Sequence, residues 1–420
     1  MPNQIVLLTA HFPWGVGEDF IENEVPYLSG LRFIFSSDDR ASIKRSVPNG
    51  VYCYSIPKPS AKRLLYIMKI LFNTLCKRSF YAELSSLVKS KRLNITTLGN
   101  LVYFIGYSVL EAKYIRKQLH LHGITNESAI VFYSYWLDTQ ANTACLLRKW
   151  FPHSTAISRA HGGDMYEFRS ERDYLPMRKY LFENLDAVYP ASEDGRKYIE
   201  EKYEVQPRIL KVKRLGTQDY GFKEKISNSS FRIVTCSNII PLKRLHLVIE
   251  ALSKMHDIAL EWIHFGDGEL RDEIKKLTDL NLEQNIKYSF MGQISNSDLM
   301  SWYQNNDCHL FINVSESEGG NPVSIMEALS FGIPIIVSDS GGGGETAENG
   351  KNGILLDKYF ESEALVDAIT KFYYMAKTSP AEYKAFRKAA RDYWSSNYKA
   401  EKIYTAFNEE ILALKRGGAS

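Results

Sequence analysis

Residues 315–339, SESEGGNPVSIMEALSFGIPIIVSD, decide the fold that this sequence predicts. An apolar strand at 310–313 leads into a glycine-rich turn at 318–321. Pro322 suits the first position of a helix, and Asn321 is its expected N-cap. Strand, glycine-rich loop and helix in this order present backbone N–H groups and a positive helix end at the carboxyl edge of a parallel sheet. Phosphate groups bind at that edge in such folds.

Two carboxylates flank the glycine-rich turn. Glu318 precedes the helix, and Glu327 lies inside it. A carboxylate only accepts hydrogen bonds, so it suits the paired hydroxyls of a sugar or a ribose and is a poor ligand for a phosphate. The pattern therefore predicts that one carboxylate holds a sugar, the other a ribose, and that a diphosphate lies between them.

The same alternation of strands and helices extends outward over the whole chain. It predicts strands at 5–10, 31–36, 51–56, 129–135, 155–160, 186–190, 209–215, 231–236, 259–265, 286–291, 308–313, 333–338 and 353–356. Helices are predicted at about 18–29, 61–92, 99–121, 136–149, 172–184, 192–203, 243–255, 268–279, 295–305, 322–331, 360–376 and 380–414. Such alternation is typical of an α/β protein whose parallel sheets are covered on both faces.

One interruption divides the pattern into two domains. Residues 216–230 are polar and rich in turn formers, without a periodic apolar face, which indicates a hinge between two doubly wound domains. The predicted domains are 1–220 and 221–394. The last helix, at about 395–414, is expected to pack back on the first domain.

Composition and charge exclude several classes of protein. With 45% hydrophobic and 24% charged residues among 420, the chain is not intrinsically disordered. A net charge of +3 is too small for a protein that coats nucleic acid. The five cysteines never form a CxxC pair, and no signal peptide or spanning segment is visible, so a cytoplasmic location is expected.

The positive charge is concentrated in one segment. Residues 57–92 contain nine basic residues and one acid, a local charge of +8, interleaved with apolar residues. A basic amphipathic helix is typical of a membrane surface or a partner interface. A solvated charged face over the first-domain core is the other interpretation, and the sequence leaves both open.

The glycine-rich stretch resembles the second-domain signature of retaining glycosyltransferases of family 4. In that family seven residues separate the two glutamates, whereas eight separate Glu318 from Glu327 here. Pro322 and Glu327 keep the family spacing, so the extra residue lies within 319–321. The resemblance continues through Gly341-Gly342, Glu345, Asn349 and Gly353. It implies the GT-B fold, in which two Rossmann-like domains face a cleft.

Five further segments resemble that family in the same order along the chain. They are 11–17, 158–164, 237–244, 265–270 and 290–293. The resemblance implies catalytic or sugar-orienting roles for His161, Asp164 and Glu318. It implies donor and nucleotide contacts at Gly15, Gly17, Lys243, Arg244, Gly266, Met291, Gly319, Gly320, Asn321, Pro322, Val323 and Glu327. Asn238 stands where the family has arginine, and Arg244 is the candidate replacement.

The implied activity is retaining transfer of a sugar from a nucleotide-sugar, UDP-linked rather than GDP-linked, to a glycan or lipid-linked acceptor in polysaccharide biosynthesis. No Asp-x-Asp pair occurs, so no metal or other cofactor is expected. A nucleotide-sugar epimerase and a catalytically silent membrane scaffold remain alternatives. A dinucleotide oxidoreductase is disfavoured because Gly15-Val-Gly17 does not continue into GxGxxG.

Overall fold

The computed structural model describes residues 4–15, 17–38, 45–57, 63–224, 226–227 and 230–414. The chain divides into two compact units, one of residues 1–213 with 404–420 and the other of residues 214–403. Lys58 and Lys62 of the basic segment lie outside the described residues. Among the described helices, none is both long enough and apolar enough to cross a membrane.

The first unit contains a six-stranded parallel sheet in the order β3-β2-β1-β4-β5-β6. Its strands are β1 (Gln4–Thr9), β2 (Leu31–Ser36), β3 (Tyr52–Ser55), β4 (Ile130–Ser134), β5 (Thr155–Ala160) and β6 (Ala187–Pro190). Its first six helices are α1 (Arg63–Leu75), α2 (Arg78–Lys89), α3 (Ile95–Leu121), α4 (Thr139–Trp150), α5 (Arg178–Asn184) and α6 (Glu193–Tyr203).

The second unit repeats this topology with the order β12-β11-β10-β7-β8-β9. Its strands are β7 (Phe231–Cys236), β8 (Leu260–Phe265), β9 (Ile286–Phe290), β10 (Leu310–Asn313), β11 (Ile335–Ser338) and β12 (Gly353–Leu356). Its helices are α7 (Leu245–Ser253), α8 (Arg271–Asn281), α9 (Asn296–Asn305), α10 (Val323–Ser330), α11 (Ser362–Thr378) and α12 (Pro380–Asn397). Both sheets have the strand order of the Rossmann fold.

The last helix, α13 (Ala400–Ala413), contributes most of its length to the first unit. Asn408 donates to the Ser29 hydroxyl at 2.9 Å, and Glu410 pairs with Lys213 at 2.6 Å. The single helix predicted over 380–414 is wrong, because it breaks before α13. There the backbone of Thr217 bonds to Tyr398 and Ala400, which interrupts the helical hydrogen bonds.

Three other predicted elements also differ. The helix predicted at 18–29 is two short 3-10 helices, Asp19–Asn23 and Val25–Tyr27, since Pro26 cannot continue an α-helix. The helix predicted over 61–92 is divided at Lys77, whose backbone is extended, so that α2 can bury Phe80 and Leu87. The strand predicted at 209–215 does not form, because after two bonds to β6 the carbonyl of Lys213 is taken by Arg159.

Candidate functional site

The loops after β7 and β10 lie at the point of the second sheet where the strand order reverses. β7 lies between β8 and β10, so the two loops leave the same edge of the sheet on opposite sides. Ligands of doubly wound proteins bind in the crevice that such a reversal opens. A backbone bond from Glu316 to the carbonyl of Leu242, 2.8 Å long, joins the two loops.

Lys243 and Glu318, which are 75 residues apart in the sequence, meet at this edge. The Lys243 Nζ atom lies 2.6 Å from the Glu318 Oε1 atom, and both side chains are largely buried. Lys243 ends a short 3-10 helix, Pro241–Lys243, that follows β7. The Asn313 amide, at the end of β10, is 3.4 Å from the same carboxylate oxygen. The cation predicted for a diphosphate is therefore neutralised by the carboxylate predicted for the sugar.

The Arg244 side chain is bonded to the protein backbone, and the diphosphate contact predicted for it stays a prediction. Its backbone is left-handed, with φ of 48°, and its guanidinium donates to the carbonyls of Val314 at 2.7 Å, Ser315 at 3.1 Å and Lys358 at 2.9 Å. Three of its donors are thus committed to the protein backbone. Arg244 holds the loop after β10 in place, and its contacts do not favour it as the substitute for the family arginine.

The glycine-rich turn packs against a second glycine run, residues 341–344. The backbone of Glu318 exchanges bonds with Ser340 and Gly342, at 2.9 and 3.2 Å. A Cβ atom on Gly342 would lie 2.5 Å from the Gly320 carbonyl, so the approach requires glycine. The prediction of Asn321 as N-cap is wrong: Pro322 flanks α10, and the Asn321 amide donates to the Gly342 carbonyl at 2.7 Å.

Glu327 is buried on α10 and is oriented by a residue that sequence analysis missed. The Asn296 amide, at the start of α9, donates to Glu327 Oε1 at 2.6 Å. The charges of Glu327 and Lys243 both act on the Cys236 thiol, which lies at the end of β7. Burial, and after it the charge of Glu327, raise the pKa of this thiol to about 12, although the charge of Lys243 lowers it. Lys243 follows β7, and Glu327 lies on the helix that follows the neighbouring strand β10, so both belong to this edge of the sheet. The sequence did not indicate a functional role for Asn296, because it is the first residue of a helix that has no recognisable motif.

The loops after β8 and β9 meet at the same edge. Gly266 has φ of 132°, and a Cβ atom there would lie 1.9 Å from the Ser237 carbonyl oxygen. Its N–H donates to Gly292 at 2.9 Å, and Met291 beside it is 45% exposed. The nucleotide contacts predicted for Gly266 and Met291, and those for Gly319, Gly320, Pro322 and Val323, stay predictions.

In the first unit, the loop after β1 is held by a buried carboxylate that sequence analysis also missed. Glu18 accepts the N–H groups of Ala10, His11 and Phe12, at 3.1, 2.7 and 2.5 Å, and the indole N–H of Trp136. The loop also contains Gly15 and Gly17, with φ of 73° and 93°. Since β1 and β4 adjoin where this sheet reverses, Glu18 joins the two loops at that point. The predicted roles of Gly15 and Gly17 are untested.

Asp164 joins two loops of the first unit and has no carboxylate oxygen without a partner. One oxygen accepts from the backbone of His161 and the other from Leu137, both at 2.7 Å. Burial raises the pKa of Asp164 to about 6, although both backbone N–H groups lower it. These contacts favour a positioning role for Asp164.

His161 is a neutral imidazole under ordinary conditions. Burial, followed by the nearby Arg159 charge, lowers its pKa to about 3. Its ring packs among Phe20, Tyr135 and Trp136, and the buried Nε2 atom has no hydrogen-bond partner within the described part of the chain. A hydroxyl group could donate to that nitrogen. The sugar-orienting role predicted for His161 stays a prediction.

Buried histidines predict that the protein loses stability in mild acid. Burial lowers the pKa of His161 to about 3, and those of His264 and His309 to about 4, from the ordinary 6.5. Below pH 6.5 these histidines are protonated in the unfolded chain but stay neutral in the folded protein. Each of them therefore lowers the free energy of unfolding by up to ~1.4 kcal/mol per pH unit, until the pH reaches its pKa in the folded protein. Asp164 has the opposite sign below pH 6, which makes the net loss smaller.

The measurement is the urea midpoint at pH 7 and at pH 5, and we expect the lower midpoint at pH 5. His153→Gln, which removes an exposed histidine, should leave the difference unchanged. An equal or higher midpoint at pH 5 would contradict the prediction.

Comparison with known proteins places a recognised domain in the second unit. Residues 217–393 match the family model for glycosyl transferases group 1. The GtfA subunit of the UDP-N-acetylglucosamine–peptide N-acetylglucosaminyltransferase of Streptococcus parasanguinis is 28% identical over 253 residues, 56% of this chain and 47% of that protein. The O-antigen biosynthesis glycosyltransferase WbnH of Escherichia coli is 29% identical over 182 residues, 43% of this chain and 49% of that protein.

The chain thus spans about half the length of these curated relatives. Among solved structures, Anabaena HepE in complex with UDP superposes with a TM-score of 0.65 and 16% identity, over 98% of this chain and 100% of that one. The structural match confirms the predicted GT-B fold class, with its two Rossmann-like sheets.

Proposed function

We propose that this protein transfers a sugar from a nucleoside diphosphate sugar to a glycan or lipid-linked acceptor in the biosynthesis of a polysaccharide. The observation that carries the proposal is the convergence of Lys243, Glu318 and Glu327 where the second sheet reverses direction. A UDP-linked donor is preferred, because a similar structure holds UDP and one relative is named for UDP-N-acetylglucosamine. The O-antigen relative supports the polysaccharide assignment.

Each of these residues suits one part of the donor. Glu327, oriented by Asn296, would accept the ribose hydroxyls. Lys243 would neutralise the diphosphate, and the charge-assisted contact would strengthen as negative charge develops on the leaving group. Glu318 would accept hydroxyls of the transferred sugar. On the first unit we assign acceptor-side roles to His161 and to the loop that contains Gly15.

We propose that the transfer retains the anomeric configuration. The bond between the anomeric carbon and the diphosphate oxygen breaks, and the acceptor oxygen bonds to the same face of the sugar. The departing phosphate oxygen takes the acceptor proton. We propose no metal for this step, since Lys243 can supply the positive charge. Activity should therefore persist in a chelator.

A panel of nucleotide-sugars tests the proposal. One donor should raise the melting temperature of the protein and release its nucleotide when an acceptor is present, with an α-linked product from an α-linked donor by NMR. An inverted product would contradict retention. No stabilisation by any donor would contradict the donor site.

The Lys243–Glu318 pair is also compatible with a catalytically silent scaffold, in which the two side chains bind each other and not a donor. The substitution Glu318→Gln separates the two functions. It removes the charge that neutralises Lys243 while keeping the shape of the side chain. We expect UDP to bind roughly threefold tighter or better, because a freed lysine attracts the diphosphate more strongly. Sugar transfer should fall at the same time.

The control is Glu316→Gln, in the same loop, which removes an exposed charge that forms no ion pair with Lys243 in the described structure. Calorimetry with UDP and a donor turnover assay are the two measurements. A scaffold would show the tighter UDP binding with no turnover in either the parent or the variant. Unchanged or weaker UDP binding by Glu318→Gln would show that the ion pair does not oppose the donor.

A further inference from the structure

Helix α1 presents its apolar side to solvent. Leu64, Met68 and Phe72 are spaced four residues apart and are 71%, 56% and 70% exposed. Residues four apart lie on one side of a helix, so they form one stripe, which Leu71 and Leu75 continue. This stripe, residues 64–75, forms the α1 face. An apolar stripe on a helix ordinarily faces the core, so its exposure needs an explanation.

The opposite side of α1 already packs against the protein. Ile70 and Thr74 are buried, and the Thr74 hydroxyl donates to the Val102 carbonyl of α3 at 2.9 Å. On α3, a Cβ atom on Gly106 would lie 2.5 Å from the Ile70 carbonyl oxygen, so the two helices are in close contact. The helix is therefore firmly seated on α3, and the α1 face remains uncovered by the described part of the unit.

Cations border the α1 face. Lys69 lies within α1, and Lys77 and Arg78 follow its end. Burial, followed by the charges of Lys149 and Lys113, lowers the pKa of Lys77. Lys113 also donates to Asn73 of α1 at 2.9 Å. The positive charge is thus gathered at the C-terminal end of α1, beside the stripe.

The one acid of the basic segment does not pair with these cations in the described structure. Glu83, the one acid of residues 57–92, accepts from the Tyr174 hydroxyl at 3.1 Å and from the Met177 N–H at 3.2 Å. Among the cations of residues 64–92, Arg92 is the one that forms an ion pair in the described structure, and its partner is Glu167. The border of the α1 face therefore carries a net positive charge.

We propose that the α1 face binds the surface of an anionic lipid bilayer, with its apolar side chains at the acyl boundary and the bordering lysines at the headgroup phosphates. Apolar area together with electrostatic attraction to anionic lipid is the combination that holds an amphipathic helix in an interface. A second copy of the chain fits less well. A two-fold axis would bring the same cations against each other without acids to pair with them.

The test is flotation of the full-length protein with phosphatidylcholine vesicles, with and without phosphatidylglycerol. The parent protein should float with the anionic vesicles, and high salt should release it. The variant Leu64→Gln, Met68→Gln, Phe72→Gln should lower the bound fraction about tenfold or more, since it removes the apolar anchor. Lys69→Gln with Arg78→Gln should weaken binding to anionic vesicles alone.

Leu280→Gln is the matched control, because Leu280 is 73% exposed on α8 of the second unit. It should bind like the parent protein. Circular dichroism of each variant establishes that the fold persists, as expected for exposed positions. No flotation of the parent, or equal flotation of the triple variant, would overturn the proposal. A dimer in solution that the triple variant abolishes, without vesicle binding, would assign the face to a second copy.

Discussion

Alanine at Lys243 is expected to weaken UDP binding by about 10- to 100-fold. A charge-assisted contact contributes ~1.5–3 kcal/mol, and each 1.4 kcal/mol is a factor of about ten in affinity. The loss has a second cause in this protein. Without Lys243, the Glu318 carboxylate, 2.6 Å away in the parent, stays at the same edge of the sheet as an unpaired charge that repels the diphosphate.

Calorimetry with UDP measures the effect, and the double variant Lys243→Ala, Glu318→Gln separates its two causes. The double variant should recover part of the affinity, because the repelling charge is gone. Lys275→Ala, which removes an exposed lysine from α8, is the control and should bind UDP like the parent. If Lys243→Ala leaves the affinity for UDP unchanged, Lys243 does not contact the diphosphate.

Alanine at Glu24 is expected to destabilise the first unit by ~3–5 kcal/mol, because it leaves a buried arginine without its counter-charge. Glu24 and Arg159 are fully buried and lie 3.0 Å apart. The Tyr133 hydroxyl accepts from Arg159 at 2.6 Å and donates to Glu24 at 2.7 Å. The guanidinium also lies 4.4 Å from the ring centre of Phe407 on α13. The C-terminal helix is therefore stabilised by the same charge.

Urea denaturation followed by circular dichroism measures the loss. The triple variant Glu24→Leu, Tyr133→Phe, Arg159→Met removes both charges and the hydroxyl between them, and it should be far less destabilised than Glu24→Ala. Asp392→Ala breaks an exposed pair with Lys388 and should change stability by less than ~1 kcal/mol. A loss for Glu24→Ala that is no larger than this control would show that the buried pair does not hold the unit together.

Much of the fold could be predicted because its signals are local. Apolar runs bounded by glycine and polar turns placed the strands of both sheets, and the glycine-rich turn correctly predicted a strand followed by a helix at 310–330. Elements were wrong where a distant group intervened. Thr217 interrupts the predicted last helix, and Arg159 takes a carbonyl from the predicted strand at 209–215.

The candidate site was predictable in its residue types but not in its pairings. Lys243, Glu318 and Glu327 follow strands that end at one sheet edge, so the sequence could bring them together. Asn296 and Glu18 were missed, because a residue that orients another side chain carries no motif of its own. Arg244 was assigned to the diphosphate from its position, whereas its left-handed backbone directs it to three carbonyls.

The sequence by itself determined the strand and helix pattern, the two Rossmann-like sheets and the edge at which the charged residues gather, because the period of apolar residues and the chemistry of turns act over a few residues. Only the tertiary structure decided that Lys243 neutralises Glu318, that Asn296 orients Glu327 and that the apolar side of α1 faces outward. Those outcomes depend on which loops and helices meet across a sheet edge, and that meeting is set by the packing of residues far apart in the chain.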